Sequence, residues 1–147
     1  MIFHWLFIMI TLLLCAVAAL PTRFWVRVGE WVKTRGLQGK QARLQAALVR
    51  QRRPFTPDES FLNRGVGLAM DHERKLVFLA CPQNGRIRAE ILPSSALGQH
   101  TVLMQSDHGF QENFVEISIP GTAQPVWRLP CADSELAAEV DNALARL

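Results

Sequence analysis

The chain holds three cysteines in 147 residues, too few and too scattered for a disulfide framework. His4, His72, His100 and His108 never approach a metal-ligand spacing. There is no His-Glu-x-x-His and no Cys-x-x-Cys, so no metal site is expected. Gly65-Val66-Gly67 is not followed by Gly-Lys-Ser/Thr, which excludes a phosphate loop. Asp71 and Glu73 lie in one turn and Asp107 and Glu112 in another. Used as paired catalytic carboxylates they would need a deep cleft around them. No catalytic residue and no cofactor is expected, and the chain reads as a non-enzyme. A hydrophobic content of 49% with 20% charged residues also excludes wholesale disorder and collagen-like repeats.

Two further absences organise the chain. Residues 2 to 20 contain no Asp, Glu, Lys or Arg, and only His4 and Thr11 are polar. An apolar run of this length predicts a membrane-spanning helix, since about 20 residues at ~1.5 Å each cover a hydrocarbon core of ~30 Å. Trp5, Phe24, Trp25 and Trp31 fit an interfacial aromatic belt. Ala16-Val17-Ala18 resembles a signal cleavage site, but no Lys or Arg precedes the run, and an uncleaved anchor is expected over residues 1–21. Residues 22 to 53 then hold a single acid. They hold nine Lys or Arg against Glu30 alone, a net of +8, whereas residues 54 to 147 carry seven bases and twelve acids, a net of −5. Basic residues beside a span stay on the cytoplasmic side. The expected topology is a single-pass inner (plasma) membrane protein, N-terminus out, with its C-terminal domain cytoplasmic and Cys81 and Cys131 reduced.

Residues 22–57 predict a basic juxtamembrane helical stalk and linker, interrupted at Gly36 and Gly39 and ended by Pro54 and Pro57. Arg23, Trp25, Arg27, Trp31, Lys33 and Arg35 are its expected lipid contacts. Juxtamembrane bases gain about 1 kcal/mol each near an anionic leaflet. Nucleic acid is an unlikely partner, because no aromatic-interleaved basic strand follows and the rest of the chain is acidic.

From residue 58 to 147 the period changes from helical to alternating. Val66, Leu68 and Met70 alternate, Asp71 to Arg74 form a polar turn, and Leu76, Phe78 and Ala80 alternate again, which is a hairpin pattern. Asn84-Gly85 marks a second turn. Short strands follow around Ile87–Ile91, Leu97–Gln105, Phe114–Ile119 and Val126–Leu129, with a turn at Asp107-His108-Gly109. Asp133-Ser134-Glu135 can cap a terminal helix with Leu136, Val140, Ala143, Leu144 and Leu147 on one stripe. Trp127 is expected in the core. Cys131 stands at a helix entry, where the helix end lowers a thiol pKa and burial raises it.

The hairpin at Gly67–Leu79, the step Ile91-Leu92-Pro93-Ser94-Ser95-Ala96-Leu97, the run Val102-Leu103-Met104 and the closing helix together resemble the short pleckstrin-homology-like domains of bacterial membrane-associated proteins, over residues 61–147. The resemblance implies a curled antiparallel sheet or barrel of six or seven strands closed by the helix, with a docking role. The expected whole is an α+β protein: a transmembrane anchor, a basic stalk, and a domain that acts as a membrane-tethered adaptor or accessory subunit. Its expected partners are membrane lipid and another protein of a membrane complex, with no small-molecule substrate. The alternatives are an exported domain with a Cys81–Cys131 disulfide, and a ligand-binding or enzymatic domain whose site the sequence does not reveal.

Overall fold

A computed structural model of the chain describes residues 2–18, 21–51, 53–107 and 109–147, without the side chains of residues 2–4, 14–18, 22, 25, 33, 107 and 110. The chain divides into two units, Met1–Gly36 and Leu37–Leu147.

The first unit contains helix α1, Ile2–Ala18, and the first part of helix α2, Thr22–Val49. α1 presents Trp5, Phe7, Met9, Leu12 and Leu13 to the outside. The expected transmembrane span is overturned: no helix among the described residues is long and apolar enough to cross a membrane. α1 has 17 residues, which at ~1.5 Å each fall short of a hydrocarbon core of ~30 Å. α2 is long enough but carries the basic collar. The single-pass inner-membrane topology rested on that span and falls with it, because a charge bias orients a helix only where one crosses. α2 is also unbroken. Gly29, Gly36 and Gly39 keep helical dihedrals, and a Cβ added at any of them would meet nothing within 4 Å, so they neither turn the chain nor make room for a neighbour.

In the second unit, alternation and turn chemistry build the strands. β1 (Glu59–Ser60), β2 (Leu68–Asp71), β3 (Leu76–Gln83) and β4 (Arg86–Pro93) form one antiparallel sheet in that order. The β2–β3 pairing sets Leu68 opposite Leu79 and Asp71 opposite Leu76. At the turn, Asp71 Oδ1 accepts the Arg74 backbone N–H at 3.0 Å. Asn84 and Gly85, at φ of 50° and 75°, make the two-residue β3–β4 turn, whose positive dihedrals match the strand twist. Gly67 is needed for a different reason. A Cβ there would stand 1.7 Å from the Ala80 carbonyl oxygen, because Ala80 N–H donates to Gly67 O at 2.7 Å.

The second sheet orders β5 (His100–Asp107), β6 (Phe110–Ser118) and β7 (Val126–Cys131). α3 (Ser134–Leu144) follows, with Asp133 as its cap accepting the Leu136 N–H at 2.7 Å. The expected barrel is therefore corrected to two open antiparallel sheets. The chain leaves the first sheet at Pro93, which has no N–H to extend a ladder, passes a 3₁₀ turn at Ser94–Ala96, and enters the second where Gly98 N–H donates to Ser118 O at 2.7 Å.

The first sheet is buried on both faces. Val77, Leu79 and Cys81 join β6, β7 and α3 residues, including Val115, Ile117, Trp127, Leu129 and Val140, in the larger core cluster. Phe78, Ala80, Ala69 and Ile91 point the other way and pack with Leu44 and Ala47 of α2. The second part of α2 is thus the cover of this sheet.

Candidate functional site

The expected lipid-contact residues lie on the first part of α2. Arg23, Arg27, Trp31 and Arg35 are exposed, and the Arg35 guanidinium carbon stands 4.1 Å from the Trp31 ring centroid. Such a cation–π pair holds the charge beside an amphipathic ring. The side chains of Trp25 and Lys33 lie outside the described residues, as do His108 and the side chain of Asp107.

The residues with potential for chemistry are dispersed. Cys81 and Cys131 are free thiols. Burial pushes the Cys81 thiol up, against the lowering effect of Arg88. Burial also pushes Cys131 up to about 11, outweighing the Lys40 charge that opposes it. At the helix entry, then, burial wins. Cys131 Sγ donates to Leu129 O at 3.6 Å and is no thiolate at neutral pH. His72 Nδ1 lies 2.8 Å from Asp58 Oδ1, and His100 Nδ1 lies 2.7 Å from Asp141 Oδ1, on separate elements. The His72 hydrogen bond is the main cause holding the Asp58 carboxyl below the usual carboxylate range. Asp71 is likewise held low, first by the Arg74 backbone N–H and then by the Arg74 guanidinium at 3.0 Å and the Thr56 N–H at 3.2 Å. No group of three or more His, Cys, Asp or Glu among the described residues is placed to hold a metal ion.

Two surfaces of the larger unit stand out. The first is the outer edge of β5. This strand pairs with β6 alone, and none of its eight residues, His-Thr-Val-Leu-Met-Gln-Ser-Asp, is Lys, Arg or Pro. Leu103 is partly exposed and Met104 is 64% exposed. An open strand edge without such guards is a template for another strand.

The second is a cleft of about 590 Å³ between the end of α2 and the β3–β4 turn, lined by Arg43, Arg50, Gln51, Gly85, Arg86 and Ala89 among others. Arg43 and Arg50 are seven residues apart, two turns on one helix face, with Ala46 and Ala47 between them in the floor. Gln51 Nε2 donates to Ala89 O at 3.4 Å, a weak tie between the helix end and β4. Among the described residues no acidic side chain lines this cleft, whereas two others, near His100 and near Cys81, each include Glu116. Arg43, Arg50 and Arg86 form no ion pair among the described residues, while Arg64, Arg74, Arg128 and Arg146 each hold a carboxylate. Sequence reasoning placed Arg43 and Arg50 on a solvated stalk and passed over Arg86. The signal present was Arg-x-x-Ala-Ala-x-x-Arg at residues 43–50.

Comparison of the chain with protein-family models, curated proteins and solved structures found no match.

Proposed function

We propose that this protein is a docking adaptor without catalytic chemistry of its own. The larger unit receives an extended segment of a protein partner along β5, and the first part of α2 contacts anionic lipid at a membrane surface. The observation that carries the reading is the unpaired edge of β5, exposed at Thr101 and from Leu103 to Ser106, with Leu103 and Met104 beside it. Strand addition draws affinity from main-chain hydrogen bonds along such an edge and specificity from alternate side-chain contacts. The lipid contact draws on the exposed Arg23, Arg27, Trp31 and Arg35, with Trp25 and Lys33 as further members expected from sequence, and asks for no membrane span. The resemblance to pleckstrin-homology-like domains belongs to this proposal. An order of four strands, three strands and a terminal helix is compatible with it, although the sheets here stay open.

The test is selection of extended peptides from a random display library against the full-length protein, followed by backbone amide mapping. Binding peptides should shift β5 amides and lose at least tenfold in affinity against Leu103→Lys or Met104→Lys, since an edge lysine blocks strand addition. Selected peptides that map elsewhere, or that ignore both variants, would remove the reading. For the lipid contact, vesicles containing phosphatidylglycerol should retain the protein at low salt and release it as salt rises or when Arg23, Arg27 and Arg35 are neutralised together.

A further inference from the structure

We infer that the cleft between the end of α2 and the β3–β4 turn binds a phosphate-bearing group through Arg43, Arg50 and Arg86. The inference goes beyond the docking role and uses neither the β5 edge nor the first part of α2.

Three arginines line one concave site, and among the described residues no carboxylate shares its wall. Guanidinium is the side chain best matched to phosphate, with a planar fork of donors and a charge that no ordinary pH removes. Like charges brought together repel, and proteins commonly relieve this with an acidic neighbour, as Glu139, Asp71, Glu116 and Glu59 do for four other arginines here. The cleft arginines have no such relief, which leaves an anion as the natural complement. One effect opposes binding: the C-terminal end of α2, at Val49, carries roughly half a negative charge. Three full positive charges outweigh it. The floor is open because positions 46 and 47 are alanine, and a volume of about 590 Å³ admits a phosphorylated small molecule or a phospholipid headgroup. Turn geometry holds the far wall, since the positive dihedrals of Asn84 and Gly85 set where Arg86 leaves the hairpin.

The experiment uses the full-length protein in neutral detergent, titrated with pyrophosphate by calorimetry, and in parallel with vesicles containing phosphatidylglycerol or phosphatidylcholine alone. Pyrophosphate should bind saturably, and its Kd should rise at least tenfold in Arg50→Gln, in Arg86→Gln and in Ala46→Leu, which fills the floor without removing charge. Arg128→Gln, outside the cleft, should leave the Kd unchanged. Binding of phosphatidylglycerol vesicles that falls in the same three variants, with no pyrophosphate binding, would support the site and assign the phosphate to a lipid headgroup. If neither probe binds, or if binding is indifferent to all three variants at unchanged melting temperature, the inference is overturned. Should one arginine variant fail to fold, the other and Ala46→Leu decide.

Discussion

Replacing Leu44 with alanine should destabilise the larger unit as severely as a central core substitution, although Leu44 belongs to a helix whose composition is that of a solvated stalk. Leu44 is 1% exposed and packs in the cluster of Leu62, Ala69, Phe78, Ala80 and Ile91. The substitution removes three side-chain carbons at about 0.8 kcal/mol each, or ~2.4 kcal/mol of transfer free energy. A residual cavity between helix and sheet adds to this, for a total of about 3–5 kcal/mol. The better helix propensity of alanine returns only a few tenths. For a unit of this size the loss corresponds to a fall in Tm of about 10–20 °C. Val49 lies on the same helix and is 83% exposed, so Val49→Ala should stay within about 0.5 kcal/mol of the parent. The assay is urea unfolding followed by circular dichroism, with both variants compared at one denaturant slope. A Leu44→Ala protein within about 1 kcal/mol of the parent would refute the claim that α2 covers the first sheet.

Three further outcomes follow from described geometry. Gly67→Ala drives a methyl group into the Ala80 carbonyl, backbone against backbone, and should cost about 3 kcal/mol or more, whereas Gly85→Ala meets no atom and should cost only about 1 kcal/mol for its positive φ; parallel unfolding curves decide. The folded pKa of Asp71 lies below its ordinary 3.8, so its stabilisation is complete above about pH 4 and lost as pH falls through the folded value; Asp71→Asn should lower the urea midpoint at pH 7 and flatten part of its acid limb, with Asp58 supplying a further part. Cys131, at about 11, should show about a hundredfold less thiolate at pH 8 than the same residue in urea, read as slower iodoacetamide labelling by peptide mass spectrometry, and the stability it lends should fade as pH rises from about 9 to 11. Equal labelling rates in the two states would contradict that thiol's burial.

Much of the local structure was legible in the residues. The alternation at 66–80 around Asp71–Arg74 is a hairpin, the Asn84-Gly85 pair is its successor's turn, and Asp133 caps the terminal helix. The sheet closure was not legible, because whether β4 and β5 pair depends on how the chain leaves Pro93, and a barrel and two open sheets share one alternation pattern. The cover of the first sheet was missed for a reason that the residues do carry. Leu76–Cys81 is apolar at both parities, the mark of a strand buried on both faces. A one-sided reading of that strand left Leu44, Ala47 and Leu48 without a surface to cover. The arginine cleft disappeared with the same error, since Arg43 and Arg50 share a cleft with Arg86 only once α2 is seated beside β4. The transmembrane expectation failed on length, with α1 described over 17 residues.

The two core clusters also differ in when synthesis can complete them. The cluster beneath α2 draws its members from Leu44 to Ile91, so all its parts exist once β4 has been made. The larger one needs Val115, Ile117, Trp127 and finally Leu144. A nascent chain emerging N-terminus first therefore owns a finished helix-on-sheet layer while the opposite face of the same sheet, with Leu68, Met70, Val77 and Leu79, still lacks its cover. The ion pair between Arg146 and Glu59, 87 residues apart, forms later still, once α3 has been made. During the intervening interval the growing chain carries an apolar sheet face with no cover of its own, and that interval is where chaperone dependence and aggregation of this protein should concentrate.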